Sequence, residues 1–220
     1  IKIGSGEITW LEMVEYIAKK NRPIILSTGD ATMSEIDEAV STIERTGNKD
    51  LVLLQCITNY PSKIESANIN VLKTYQSAYN VITGYSDHSH GDLVILGSIA
   101  LGGRVVEKHF TLNKNDKGPD HPHSLDKDEF KKMVKNIRLL EKALGSSKKD
   151  VVEEEEETVF VQRRGLYAAK EIKEGERITE ESIEVLRPAL GIKPKYKKII
   201  VGKKASTNIS KGEPIYWENI

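Results

Sequence analysis

A short β-branched run, a polar turn and an amphipathic stretch with helical spacing recur five times across residues 1–145. This alternation limits the fold more than any other property of the chain. The expected strands are Ile1–Ile3, Pro23–Ser27, Leu51–Cys56, Asn80–Gly84 and Arg104–Glu107. They are apolar-rich runs rather than strict alternations, the pattern of strands covered on both faces, and so predict a parallel sheet. Strand–helix alternation builds either an open doubly wound sheet or a closed (β/α)8 barrel, and the pattern alone does not separate the two. Five units are too few to close a standard eight-fold barrel.

Helix signals lie between the strands. Thr9-x-x-Glu12 and Thr32-x-x-Glu35 have the form of capping boxes, and Ile36, Val40 and Ile43 keep one apolar stripe. A longer helix is expected over 128–144, with Phe130, Val134, Ile137 and Leu144 on one face. Past Gly145 the composition changes to Ser-Ser-Lys-Lys-Asp and the acidic run Glu153–Glu157, which read as a solvated linker over 146–158. Residues 159–220 show short strands, turns at Lys173-Glu-Gly175 and Lys211-Gly212, and a brief helix after Thr179, so a small, mostly-β module is expected. Because the chain opens at Ile1, directly on a strand-like run, further residues are expected upstream of it.

Lys+Arg and Asp+Glu balance at 33 each. No overall field draws the chain to nucleic acid or an anionic membrane, and an anionic ligand must be held locally. No apolar stretch approaches the roughly 20 residues that span a bilayer. The single cysteine, Cys56, sits in an apolar run, which predicts a core role and favours a reducing, cytoplasmic setting.

Chemically capable residues cluster where the predicted strands end, the end that carries active sites in α/β barrels. The first strand runs into Lys2-Ile-Gly-Ser5-Gly-Glu7, where Lys2 and Ser5 can hold phosphate or carboxylate oxygens. The second ends in Ser27-Thr28-Gly29 and the third in Thr58-Asn59-Tyr60-Pro61, groups that can orient a sugar or simply form turns. The fourth ends in Ser86-Asp87-His88 and the fifth carries Glu107-Lys108-His109, so two imidazoles and two carboxylates are expected at one mouth of the sheet. Two histidines on neighbouring strands beside a carboxylate suit a divalent transition metal. His90, His121 and His123 are expected to be solvated loop side chains, and Asp120, in the polar loop 118–124, can bind a sugar hydroxyl, help in proton transfer, or merely cap a helix.

Taken in order, Lys-Ile-Gly-Ser-Gly-Glu, Ile-Leu-Ser-Thr-Gly, Tyr-Ser-Asp-His, Val-Glu-Lys-His-Phe and Gly-Pro-Asp-His resemble the N-acetylneuraminate (sialic acid) synthase family, which includes legionaminic acid and spore-coat polysaccharide synthases. Leu166-Tyr-Ala-Ala-Lys-Glu-Ile-Lys-Glu-Gly175, Leu186-Arg-Pro188 and Val201-Gly-Lys-Lys resemble that family's antifreeze-like (SAF) domain. The resemblance implies a (β/α)8 TIM barrel whose first three strands are not in this chain, then a flexible linker and a small β-clip domain. It also implies a domain-swapped homodimer. The implied reaction condenses phosphoenolpyruvate with N-acetylmannosamine or a related N-acylated aminosugar and releases phosphate by C–O cleavage.

On matching positions, the resemblance implies His88 and His109 as metal ligands, with Mn2+ favoured and Mg2+ or Co2+ possible. Lys2, Ser5 and Ser86 match groups around phosphoenolpyruvate, with Thr58 or Asn59 as a further phosphate contact. Glu7, Tyr60 and Asp120 match the sugar-binding set. Glu107 matches an acidic residue near the metal, and Lys2, Glu7 and Glu107 are the implied catalytic groups. Arg187 matches an arginine offered to the N-acyl group of sugar in the other subunit. The loop after Asp120, His-Pro-His-Ser-Leu-Asp, departs from common family forms, which leaves the sugar open. Another metal-dependent barrel lyase or aldolase, or an inactive carbohydrate-binding fragment, are the alternative readings.

Overall fold

The five apolar runs become strands β1 (Lys2–Ile3), β2 (Ile24–Ser27), β3 (Leu51–Cys56), β4 (Ile82–Asp87) and β5 (Val105–Lys108), hydrogen-bonded in that order as one parallel sheet. The structure is a computed structural model that describes residues 1–220. Helices α1 (Leu11–Ala18), α2 (Met33–Arg45), α3 (Val71–Ala78) and α4 (Leu93–Ala100) alternate with the strands, and α5 (Lys127–Leu144) follows the last.

Strand register sorts the side chains onto two faces, because successive residues of a strand point to opposite sides. Ile3, Leu26, Leu53, Thr83 and Tyr85 share the face packed by helices, and all are buried. Each fully buried Leu or Ile there contributes about 1.5–3 kcal/mol. The other face carries Lys2, Ser27, Cys56, Ser86 and Glu107 in register. That second face is concave. Lys2 and Glu107 sit on the first and last strands, which a flat sheet would separate by roughly 19 Å, yet their side chains meet at 3.0 Å. The sheet therefore curls as part of a barrel wall. Gly84 is required by this curvature: a Cβ there would lie 2.0 Å from the Val105 carbonyl oxygen.

Several expectations need correction. The expected strand Asn80–Gly84 starts and ends later, at Ile82–Asp87, because Ser86 and Asp87, though polar, are buried in the sheet. Thr9 and Glu12 form no capping box; α1 begins at Leu11 behind Trp10, with no side-chain cap. Thr32 and Glu35 do form one at α2, and Asp126 and Glu129 form another at α5. Along α5 the face turned inward is Phe130, Met133, Ile137 and Leu140, whereas Val134 and Leu144 are exposed.

The chain divides into two units, Ile1–Gly145 and Ser146–Ile220. In the second unit the acidic run, expected as a solvated linker, is exposed, and Glu153–Glu155 makes a 3-10 turn leading into α6 (Glu156–Gln162), whose side chains are also largely exposed. Regular strand is confined to β6 (Gly165–Ala168) and β7 (Ile183–Leu186), paired antiparallel and supplemented by isolated bridges, with one further short helix, α7 (Lys197–Ile200). The mostly-β expectation thus narrows, since its apolar runs are too short and too often broken by Lys, Glu and Gly to extend a ladder. Its core gathers Leu166, Ile172, Ile178, Ile192, Ile200 and Ile215. No helix of the chain is long and apolar enough to cross a membrane.

Candidate active site

The concave face holds two adjoining groups of side chains, one about two residues further along the strands than the other. The deeper group centres on Glu107. Its Oε1 accepts from Lys2 Nζ at 3.0 Å and from Ser86 Oγ at 2.7 Å, Ser86 and Glu107 being register partners on β4 and β5. Ser5, buried on the turn after β1, accepts a hydrogen bond from the Gly29 N–H at 3.0 Å. A Cβ on Gly29 would lie 2.8 Å from Thr58 Oγ1 and 2.9 Å from Ser5 Oγ, so the glycine keeps a small polar hollow open. Thr58 Oγ1 and Ser27 Oγ are buried there without hydrogen-bond partners, an arrangement that is costly unless a ligand or water completes it. Burial pushes the Cys56 thiol up, with Ser5, Ser86 and Lys2 opposing weakly, so it stays a neutral thiol in the floor.

The second group is made of rings. Parity puts His88 on the face of Ser86 and His109 on the face of Glu107. The His88 and His109 centroids are 5.3 Å apart, and Tyr60 stacks on His88 at 4.0 Å with an interplanar angle of 28°. His123 joins them, its ring 5.0 Å from His109 and 6.0 Å from Tyr60. Asp120 Oδ2 lies 3.8 Å from His109 Nδ1. Desolvation pushes His88 below the usual imidazole range, against the pull of its bond to the Ile57 carbonyl; desolvation and the neighbouring His109 lower His123 likewise. Both shifts favour the neutral ring that a metal ligand must present. His88 Nδ1, 2.7 Å from the Ile57 carbonyl oxygen, donates there, leaving Nε2 with its lone pair facing outward from that bond. Imidazole nitrogens beside a carboxylate, one of them a buried His123 Nε2 with no partner, fit a divalent transition ion.

The structure thus brings together Lys2, Ser5, Thr58, Ser86 and Glu107 in one group, and Tyr60, His88, His109 and Asp120 in the other. Glu7 and Asn59 are exposed, and neither side chain forms a hydrogen bond within these groups. Arg187 belongs to the second unit, exposed, with Nε donating to the Gln162 carbonyl at 2.7 Å. One of the two carboxylates expected at the mouth is elsewhere. Asp87 points to the helix-covered face and pairs with Lys108 at 2.7 Å, both side chains 1% exposed. Alternation along β4 makes this unavoidable, since Ser86 and His88 occupy the concave side. His123, which the sequence places among solvated loop residues, is instead 3% exposed. The loop returns to the chain just beyond β5: the Leu125 N–H donates to the His109 carbonyl at 2.9 Å, and the Thr111 N–H to Leu125 at 2.9 Å. A histidine two residues before an apolar residue that bridges back to the chain after β5 is the available signal.

Comparison with known proteins follows the same division. The NeuB family matches residues 1–149 and the SAF domain residues 163–220. The N,N'-diacetyllegionaminic acid synthase of Campylobacter jejuni is 40% identical over 216 residues, covering 97% of this chain and 65% of its own length. A pseudaminic acid synthase of the same species is 42% identical over 215 residues, covering 97% and 62%. Among solved structures, a spore coat polysaccharide biosynthesis protein of Bacillus subtilis superposes with a TM-score of 0.62 at 34% identity, over 100% of this chain and 66% of its own. The chain spans less than two-thirds of the length of these relatives.

Proposed function

Because the chain belongs to the NeuB family, we propose that it acts in a nonulosonic acid synthase, joining phosphoenolpyruvate to an N-acylated aminosugar. The observation that carries this reading is the adjacency, on one concave face, of a cation-and-hydroxyl group (Lys2, Ser5, Ser86, Glu107) and an imidazole-and-carboxylate group (His88, His109, Asp120). The first has the chemistry to hold a phosphorylated carboxylate, and the second to hold and polarise a sugar.

In this reading Lys2 and the hydroxyls of Ser5 and Ser86 bind the phosphate and carboxylate oxygens of phosphoenolpyruvate through charge-assisted hydrogen bonds. The unpartnered Thr58 hydroxyl adds a donor in the same hollow. Asp120 and Tyr60 orient the sugar's hydroxyls. Bond formation joins C3 of phosphoenolpyruvate to the sugar's carbonyl carbon, water adds at C2, and phosphate leaves with the bridging oxygen. As Lys2 and the Ser86 hydroxyl turn toward the anion, the Glu107 carboxylate is released to accept a proton from that water. When bound, a divalent ion (Mn2+, Mg2+ or Co2+) held by His88 and His109 supplies Lewis acidity toward the sugar carbonyl. Arg187 reaches the sugar of the other protomer in a swapped homodimer.

Relatives that make legionaminic and pseudaminic acids match this chain almost equally, at 40% and 42% identity, so the acceptor is settled by experiment. The protein expressed from its full natural gene is assayed for phosphate release from phosphoenolpyruvate with Mn2+ and a panel of acylaminosugars. Release that requires one sugar supports the proposal and identifies the acceptor; release with none of them contradicts it.

A further inference from the structure

His123 lies with its ring 5.0 Å from that of His109, one of the two histidines assigned to the metal, at a position where the family resemblance offers no ligand. One donor atom each from His109, Asp120 and His123 falls within 4.8 Å of the others. Nitrogen ligands bind a divalent ion at about 2.0–2.1 Å, so two donors on opposite sides of one ion stand roughly 4.2 Å apart. A small rotation of these side chains closes the difference. Independently of that spacing, His123 Nε2 is fully buried and has no hydrogen-bond partner. A buried ring nitrogen without a partner is a cost that a bound ion removes. The loop that carries His123 is anchored to the chain just beyond β5 by backbone bonds of Leu125 with His109 and Thr111. The neighbouring His121 is already engaged, with Nδ1 2.7 Å from Thr111 Oγ1.

We propose that His123 is a third imidazole ligand, so that this chain's site presents His88, His109, His123 and Asp120 and prefers a later transition ion such as Co2+ to Mg2+. Imidazole nitrogens favour the later first-row ions, whereas Mg2+ favours oxygen donors and retains water. The inference rests on the metal assignment in the proposed function, and the binding measurements below do not depend on turnover.

The protein expressed from its full natural gene is stripped with chelator and titrated calorimetrically with Co2+ and with Mg2+. The visible spectrum of the Co2+ form is recorded, and nitrogen couplings in the Mn2+ form are counted by pulsed electron paramagnetic resonance. His123→Gln, close in size, is compared with wild type, with His109→Ala and with His121→Ala. The expected result is three nitrogen couplings in wild type, a loss of at least about 10-fold in Co2+ affinity with His123→Gln, an altered Co2+ spectrum, and no change with His121→Ala. Unchanged affinity and spectrum in a folded His123→Gln protein, with binding lost in His109→Ala, overturns the inference and leaves the two-histidine site intact. Should the variant fail to fold, the wild-type count decides, since two couplings overturn the inference. Three couplings in a protein that releases no phosphate with any sugar would uphold the ligand set and refute the proposed function instead.

Discussion

Lys2 Nζ and Glu107 Oε1 lie 3.0 Å apart, tying the first strand of the sheet to the last across its concave face. The cation that would meet an anionic substrate is therefore already paired, and the same carboxylate oxygen accepts from Ser86 at 2.7 Å. Binding of phosphoenolpyruvate exchanges one charged partner of Lys2 for another.

Lys2→Ala removes a charge-assisted contact of about 1.5–3 kcal/mol, which corresponds to roughly 10–150-fold. The KM for phosphoenolpyruvate is expected to rise by that factor with the KM for the sugar little changed. Steady-state kinetics with each substrate varied in turn distinguishes this from a general loss of fold.

Glu107→Gln keeps the size of the side chain and the hydrogen bond to Ser86 but cannot take a proton. The expectation is a kcat lowered by about 10²–10⁴-fold while the KM for phosphoenolpyruvate stays level or falls, because Lys2 is no longer held by a carboxylate. A KM rise of the size seen for Lys2→Ala, with kcat intact, would assign Glu107 to binding instead.

Asp87 and Lys108 form the only ion pair here with both side chains 1% exposed. Lys108→Met leaves a buried carboxylate alone and is expected to cost about 3–5 kcal/mol of stability. Lys108→Met combined with Asp87→Asn removes the unpaired charge and should recover much of that loss. Urea unfolding of the two variants gives the comparison.

The start of α5 is sensitive to acid. Lys114 and the Asp126 N–H hold the Glu129 carboxyl below its ordinary 4.5, and bonds to Thr32 do the same for Glu35 at α2. A depressed folded value means that these groups stabilise the fold above about pH 4.5 and that the contribution disappears as pH falls through the lowered values. The gap in Tm between wild type and Glu129→Gln should narrow from pH 6 to pH 3; a gap independent of pH would contradict the assignment.

What the sequence made legible followed from burial patterns. Leu51–Cys56 is an unbroken apolar run with turns on both sides, and its predicted bounds match the strand. Ile36, Val40 and Ile43 were legible because helical spacing alone places them inward. Ser86 and Asp87 were not, because their burial depends on Glu107 and Lys108, partners more than 20 residues away. The same holds for His123, whose loop is brought back by Leu125 pairing with the residues just beyond β5. Local polarity names the candidate groups, but strand parity and long-range pairing decide which of them share a face.

The central claim is tested most directly with phosphoenolpyruvate carrying 18O in its bridging C–O–P oxygen, incubated with Mn2+ and the panel of acylaminosugars. The proposed function predicts that phosphate appears only when a cognate sugar is present and that it carries the label, since the C–O bond breaks. Unlabelled phosphate, or release that is indifferent to the sugar, would contradict it.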